Sequence, residues 1–187
     1  MRRWLLPALM ITLLLTGCAG SQPERRMEKL RDDLRAAQTV TLTADIDAAL
    51  EDEVFSCTVQ CTAQPDSVTV ELTAPESVAG IRAVTDAEGT RIEYDGVSLG
   101  VGTTVDGRLS PAGALPQLLT ALRSGSVRRC WNEREGDQTL IVTEFYMADD
   151  TTLAVWLDAS EMTPLSAEYR RGDAVVLRCV IKEFTYE

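Results

Sequence analysis

The chain has 187 residues, of which 45% are hydrophobic and 25% are charged, a composition that suits one folded domain and excludes an intrinsically disordered chain. Its net charge of −11 opposes binding to nucleic acid and to anionic lipid headgroups. Because histidine is absent, a Ser-His-Asp triad, a Cys-His pair and a His-containing zinc site are all excluded.

The N-terminal segment has the features of a bacterial lipoprotein signal. Two arginines are followed by an apolar run and then by LTGC, which ends at Cys18. We predict a signal peptide over residues 1–17, lipidation of Cys18 and a tether over residues 18–23. Removal of the signal peptide would lower the net charge to −13, because that segment carries two arginines and no acid. An uncleaved membrane anchor with an incidental cysteine is the alternative.

The mature chain, residues 24–187, is predicted to form one domain. Residues 24–38 carry apolar side chains at helical spacing and predict an amphipathic helix. From residue 39 the apolar period changes to two, which predicts strands separated by short turns. These strands cover residues 39–47, 54–62, 66–74, 80–85, 90–94 and 97–101.

A second helix is predicted in the middle of the chain. Residues 111–125 begin after Ser110 and end at a Ser-Gly pair. An apolar stripe runs along this helix and consists of Leu115, Leu118, Leu119 and Leu122. The alternating pattern then returns in five strands, over residues 127–133, 138–147, 151–158, 165–171 and 174–185.

These elements predict an α+β fold made mostly of antiparallel strands. About ten strands form too wide a sheet to stay flat, so we expect a curved half-barrel whose helices cover its concave apolar face. A cleft between helices and sheet is predicted, and plain core packing is the alternative for its aromatic candidates. The candidates are Leu115, Leu118, Leu119, Leu122, Trp131, Trp156 and Tyr94. Residues 140–147 are apolar on both faces and predict a strand that is covered on both sides.

Four cysteines follow Cys18 and leave two alternatives open. Cys57 and Cys61 lie on one predicted strand, roughly 13 Å apart, so they cannot bridge each other. Each could form a disulfide with Cys130 or Cys179, or all four could be buried free thiols. The spacing of these cysteines does not fit a metal site.

The order of elements resembles the LolA/LolB-type lipoprotein-sorting superfamily and the small LolA-like lipoproteins of clostridia, including germination-type members. The resemblance is carried by LTGC, PERRMEKLRDDLRAAQ, the strands after Thr39, PAGALPQLLTALRSG and TAPESVAGI. It implies an incomplete barrel whose apolar interior takes up acyl chains in the sorting proteins. It also implies an exposed apolar residue between the third and fourth strands. That loop is residues 75–80 here, and Val78 is the candidate, although it is smaller than the leucine expected.

The function expected from the sequence is that of a lipoprotein anchored on the extracytoplasmic face of the cell membrane. It would bind acyl chains or another hydrophobic ligand as a carrier or sensor. We expect no catalysis, no cofactor, no metal and no nucleic acid partner. The alternative is a protein–protein interaction module that docks an envelope or germination enzyme.

Overall fold

The computed structural model describes residues 22–50, 53–102 and 109–187; Cys18 and the predicted signal peptide lie outside these residues. Within them are helices α1 (Gln22–Ala36) and α2 (Pro111–Ser124). The first six strands are β1 (Val40–Leu50), β2 (Glu53–Ala63), β3 (Ser67–Ala74), β4 (Arg82–Asp86), β5 (Gly89–Tyr94) and β6 (Val97–Gly102). After α2 come β7 (Val127–Glu135), β8 (Gln138–Tyr146), β9 (Thr151–Asp158), β10 (Pro164–Arg171) and β11 (Ala174–Tyr186).

The strands form one antiparallel sheet in the order β6-β5-β4-β3-β2-β1-β11-β10-β9-β8-β7. Two meanders, β1 to β6 and β7 to β11, therefore meet where the first strand pairs with the last. This contact runs from Val40 opposite Tyr186 to Ala48 opposite Leu177. The sheet is curved and open, with β6 and β7 as its two edges, and the predicted half-barrel fold class is confirmed.

Alternation of apolar residues builds the concave face of the sheet. In β1 the alternate side chains are at most 3% exposed, namely Val40, Leu42, Ala44, Ile46 and Ala48. Because successive side chains of a strand point to opposite faces, this pattern gives the sheet one apolar side. The same side of β2 carries Cys57, Val59, Cys61 and Ala63, all buried.

Both helices lie on this concave face. α1 buries Met27, Leu30 and Leu34, which follow the helical spacing expected of an amphipathic helix. α2 begins where the Ser110 side chain accepts a hydrogen bond from the Gly113 N–H at 3.1 Å. The chain leaves α2 at Gly125, where a Cβ atom would lie 2.8 Å from the Ala121 carbonyl oxygen. That close approach requires glycine.

Strand β8 is buried on both faces, as its sequence predicts. Ile141 and Phe145 belong to the concave core. Val142, which is 0% exposed, faces the other side and lies between Trp131 and Trp156 of the neighbouring strands. The second cover therefore comes from side chains of this chain.

Candidate functional site

The stripe of α2 is part of the packed core. Leu115, Leu118, Leu119 and Leu122 are at most 2% exposed and belong to one cluster with the concave side chains of the sheet. α2 contacts β1, β2 and β3, so these leucines fill the space above the three strands. The interior under α2 is thus occupied by the protein's own side chains.

The two tryptophans expected to line the interior lie on the opposite, convex face. Trp131 pairs with Val142, which in turn pairs with Trp156. Their chain neighbours Cys130 and Val155 are the residues that pack on the concave core. Because adjacent residues of a strand face opposite ways, the tryptophans point outward, and their placement in the cleft was wrong.

Tyr94 lies on the concave face, in a part of the sheet that the helices leave uncovered. A row of directly opposed residues leaves the core at Cys61 and crosses β3 to β6 through Val70, Ala83, Ile92 and Leu99. Tyr94 and Val97 form the next pair along the same face. We call the concave-face residues Ala83, Ile92, Tyr94, Val97 and Leu99 the open strip.

Burial falls steadily along this row. Cys61 is fully buried and Val70 is 6% exposed, whereas Ile92 is 39% and Leu99 is 64% exposed. The helices explain the gradient, because α2 packs on β1 to β3 and α1 packs on α2 and β7. The apolar concave face therefore extends beyond its cover, and the open strip faces solvent.

The loop over residues 75–80 lies at the end of the open strip. Val78 is half-buried, and its N–H donates to the Pro75 carbonyl at 3.0 Å. The N–H of Gly80 donates to the Leu72 carbonyl at 2.9 Å, and its φ of +86° is one that favours glycine. Val78 is thus held in a compact turn, next to the strand that continues into the open strip.

All four cysteines of the described chain are free thiols, which settles the alternative left open by the sequence. Burial raises the pKa of Cys61 and Cys179 to about 12. It also raises the pKa of Cys57 and of Cys130, whose sulfur lies 3.3 Å from the Thr143 hydroxyl. Thiols that stay protonated are poor nucleophiles, so these cysteines act as small apolar packing residues.

The convex face carries two well-paired carboxylates. Arg129 donates to both Glu144 oxygens at 2.7 Å, and these bonds hold the Glu144 pKa below its usual range. Burial opposes ionisation of Glu168, but Arg170 and Arg178 nevertheless keep its pKa low. Both acids stay ionised at neutral pH and have the character of structural ion pairs rather than of proton-transfer groups.

A groove of about 540 Å³ opens at the rim of the half-barrel, between α2 and the turn that joins β8 to β9. Leu109, Met147 and Ala148 form its apolar part, and Gln117, Asp149 and Arg171 form its polar part. An adjoining groove of about 360 Å³ shares Gln117 and Met147 and is mostly apolar. The larger groove therefore has a mixed lining, whereas the adjoining groove is mostly apolar.

Residues 22–50, 53–102 and 109–187 contain no group of three or more Cys, Asp or Glu side chains arranged to hold a metal ion. In the same part of the chain, neither helix has the length and apolar character needed to span a bilayer.

Comparison with known proteins identifies the fold. A DUF1329 family protein from Desulfovibrio piger matches with a TM-score of 0.54 and 10% identity, over 89% of this chain and 94% of that one. An uncharacterized conserved protein from Thermus thermophilus matches with a TM-score of 0.53 and 11% identity, over 89% and 88%. At such low sequence identity the similarity shows a shared fold alone, which is an open antiparallel sheet with helices on its concave side. The chain shares this fold with both proteins.

The LolA superfamily protein NE2245 from Nitrosomonas europaea also matches, at 13% identity over 90% of this chain and 94% of that one. Its TM-score is 0.45. No protein-family model matches the chain, and no curated protein matches it. The half-barrel fold implied by the LolA-like resemblance is confirmed, and its clostridial subgroup stays a prediction.

Proposed function

We propose that this LolA-like protein is an extracytoplasmic lipoprotein, anchored through lipid on Cys18, that binds an acyl chain or a similar apolar ligand on its open strip without catalysis. One observation carries the proposal. The concave face continues as apolar surface beyond the helices, and Ile92 and Leu99 are exposed there.

Apolar surface in contact with water costs free energy, and a ligand that covered the open strip would remove this cost. Burying apolar surface yields about 25 cal/mol per Å², so an aliphatic chain laid along the open strip gains from every contact. The strip is bounded by the buried core on one side and ends at the sheet edge on the other, so a ligand can reach it from solvent. Scattered exposed apolar residues need no such explanation, but a contiguous row does.

The predicted anchor fits this arrangement. α1 begins at Gln22, only four positions after Cys18 and within the segment predicted as a tether. Lipid on Cys18 would therefore hold the domain close to the bilayer, where apolar ligands are found.

The test uses the full chain, expressed in a bacterial host and purified from membranes in detergent. Mass spectrometry of the intact protein detects the modification of Cys18, and organic extraction recovers the bound ligand. We expect an N-terminal cysteine carrying acyl chains and a co-purifying apolar ligand.

A matched pair of variants locates the ligand. Leu99→Glu places a charge on the open strip and should reduce the extracted ligand roughly tenfold, because a carboxylate must be desolvated when an apolar chain covers it. Val54→Glu is the control, since Val54 is 67% exposed against 64% for Leu99 but lies on the convex side of β2. Both variants should keep the circular dichroism of the wild type.

Equal ligand in both variants would move the binding site away from the open strip. If the protein carries no apolar ligand from any membrane, the proposal is wrong. That result would favour the protein-docking module considered from the sequence.

A further inference from the structure

The two edges of the sheet differ in how they are protected. An edge strand presents unpaired backbone N–H and C=O groups, and proteins discourage unwanted pairing with charged residues, prolines or a cover. The β7 edge carries Arg128, Arg129, Glu133, Arg134 and Glu135, and α1 packs against it. That edge is protected.

Among the residues that the structure describes, none supplies such a device at the β6 edge. Its sequence, VSLGVG, contains no charged residue and no proline. Val97 and Leu99 point to the concave side and are more than 60% exposed. Ser98 and Gly100 face the other side, and a Cβ atom built on Gly100 would meet nothing within 4 Å. The described side chains of β6 therefore present no steric or electrostatic obstacle to a second strand.

We infer that two copies of this chain pair antiparallel through β6, so that the two sheets become continuous. β6 suits a partner identical to itself, because its six residues alternate between apolar and small side chains. A two-fold axis perpendicular to the sheet relates two antiparallel strands, so a residue near the axis meets its own counterpart.

This symmetry has consequences for the proposed function, on which the ligand part of the inference rests. The axis keeps both concave faces on the same side of the pair. The two open strips then adjoin, and Val97 and Leu99 of the second copy extend the open strip of the first. Both α1 helices also lie on that side, so both anchors can reach one membrane.

The charge of the chain does not prevent the pairing. The net charge is −11, but no charged side chain lies in the paired segment. Six residues from each copy bury less than the ~800 Å² per partner that is typical of stable dimers. This step also rests on the proposed function, because the anchor on Cys18 would confine the chains to one membrane. That confinement raises their effective concentration and offsets the small contact.

Disulfide cross-linking of the full chain in native membranes tests the inference. Ser98→Cys, Leu99→Cys and Gly100→Cys are made one at a time and exposed to a mild oxidant. The wild type gives the background, since three of its four described thiols are buried. Asn132→Cys is the matched control, because Asn132 is an exposed residue in the middle of the β7 edge.

We expect a covalent species of twice the monomer mass in at least one β6 variant, at least about tenfold above the Asn132→Cys control. Adding Leu99→Lys to Ser98→Cys should remove this species, because a charge at the edge opposes pairing. Equal cross-linking at both edges, no dimer at β6, or a product with the mass of another protein would overturn the inference.

The outcomes separate this inference from the proposed function. A co-purifying ligand without a β6 dimer would contradict only the pairing. A β6 dimer without any apolar ligand would contradict only the ligand-binding function.

Discussion

Tyr169 shows how one side chain fixes the helix cover to the sheet. It is fully buried, and its hydroxyl donates a 2.6 Å hydrogen bond to the Ala114 carbonyl in the first turn of α2. Burial raises the Tyr169 pKa well above its ordinary value. The hydroxyl therefore stays a neutral donor over the whole physiological range.

Tyr169→Phe should lower the free energy of unfolding by about 1–2 kcal/mol, because the folded state loses a buried hydrogen bond while the ring still fills its space. Urea unfolding at pH 7 measures the loss. Tyr94→Phe is the control, since Tyr94 is half exposed, and should change stability by less than about 0.5 kcal/mol. Equal effects of both variants would mean that the Ala114 contact contributes nothing.

The same tyrosine gives a pH dependence. Tyr169 ionises readily only in the unfolded chain, so the unfolded state binds fewer protons than the folded state above about pH 10. The stability of the wild type should therefore fall as the pH rises through that value, and the fall should be smaller in Tyr169→Phe.

Between elements, the contact of α1 with α2 depends on Arg31. Its guanidinium donates to the Gly125 carbonyl and lies 3.5 Å from the Ala121 carbonyl, at the C-terminal end of α2. It also lies 5.8 Å from the centre of the Phe145 ring. Desolvation lowers the Arg31 pKa, but the group keeps its charge at neutral pH and complements the negative end of the α2 dipole.

Arg31→Met keeps the apolar stem and removes the donors, and should lower the free energy of unfolding by about 1.5–3 kcal/mol. Arg35→Met, on the same helix, removes an exposed ion pair with Asp32 and should cost less than about 1 kcal/mol. Chemical denaturation of both variants provides the comparison. A loss in Arg35→Met as large as that in Arg31→Met would show that α1 is held by its apolar face alone.

Most elements could be predicted from the sequence because their apolar residues repeat with a clear helical or strand period. Thr151–Asp158 was predicted with its observed bounds, and α2 ends one residue earlier than expected. It was harder to predict which face of the sheet a given side chain occupies. A period of two shows that Cys130 and Trp131 face opposite ways, but both are apolar, and only the pairing with β8 decides that Cys130 faces inward. The error in placing the tryptophans has this origin.

Over the whole molecule, the pairing of β1 with β11 could not be predicted. It joins residues more than a hundred positions apart, and the alternating pattern of each strand is compatible with several neighbours. The open strip was missed for a related reason. Tyr94 was a candidate, but the exposure of Ile92 and Leu99 depends on how far α2 reaches across the sheet.

Because the helices cover only part of the sheet, we expect local stability to differ between its strands. β1 lies at the centre of the sheet, between β2 and β11, with its concave side chains buried, whereas β5 and β6 lack helix cover and β6 is paired on one side only. Local opening is easiest where few apolar contacts must be broken. Hydrogen exchange of the detergent-solubilised chain, read by mass spectrometry, should give opening free energies for β5 and β6 at least about 2 kcal/mol below those of β1 and β11.

Added acyl-chain ligand should then raise the protection of β5 and β6 and leave β1 and β11 unchanged, because a ligand on the open strip supplies the apolar contacts that these two strands lack. Leu99→Glu should abolish this response, and Val54→Glu should retain it. Uniform exchange across all strands would mean that the open strip is already stabilised in the free protein. A ligand response centred on the β8–β9 turn would place binding in the rim groove beside Met147.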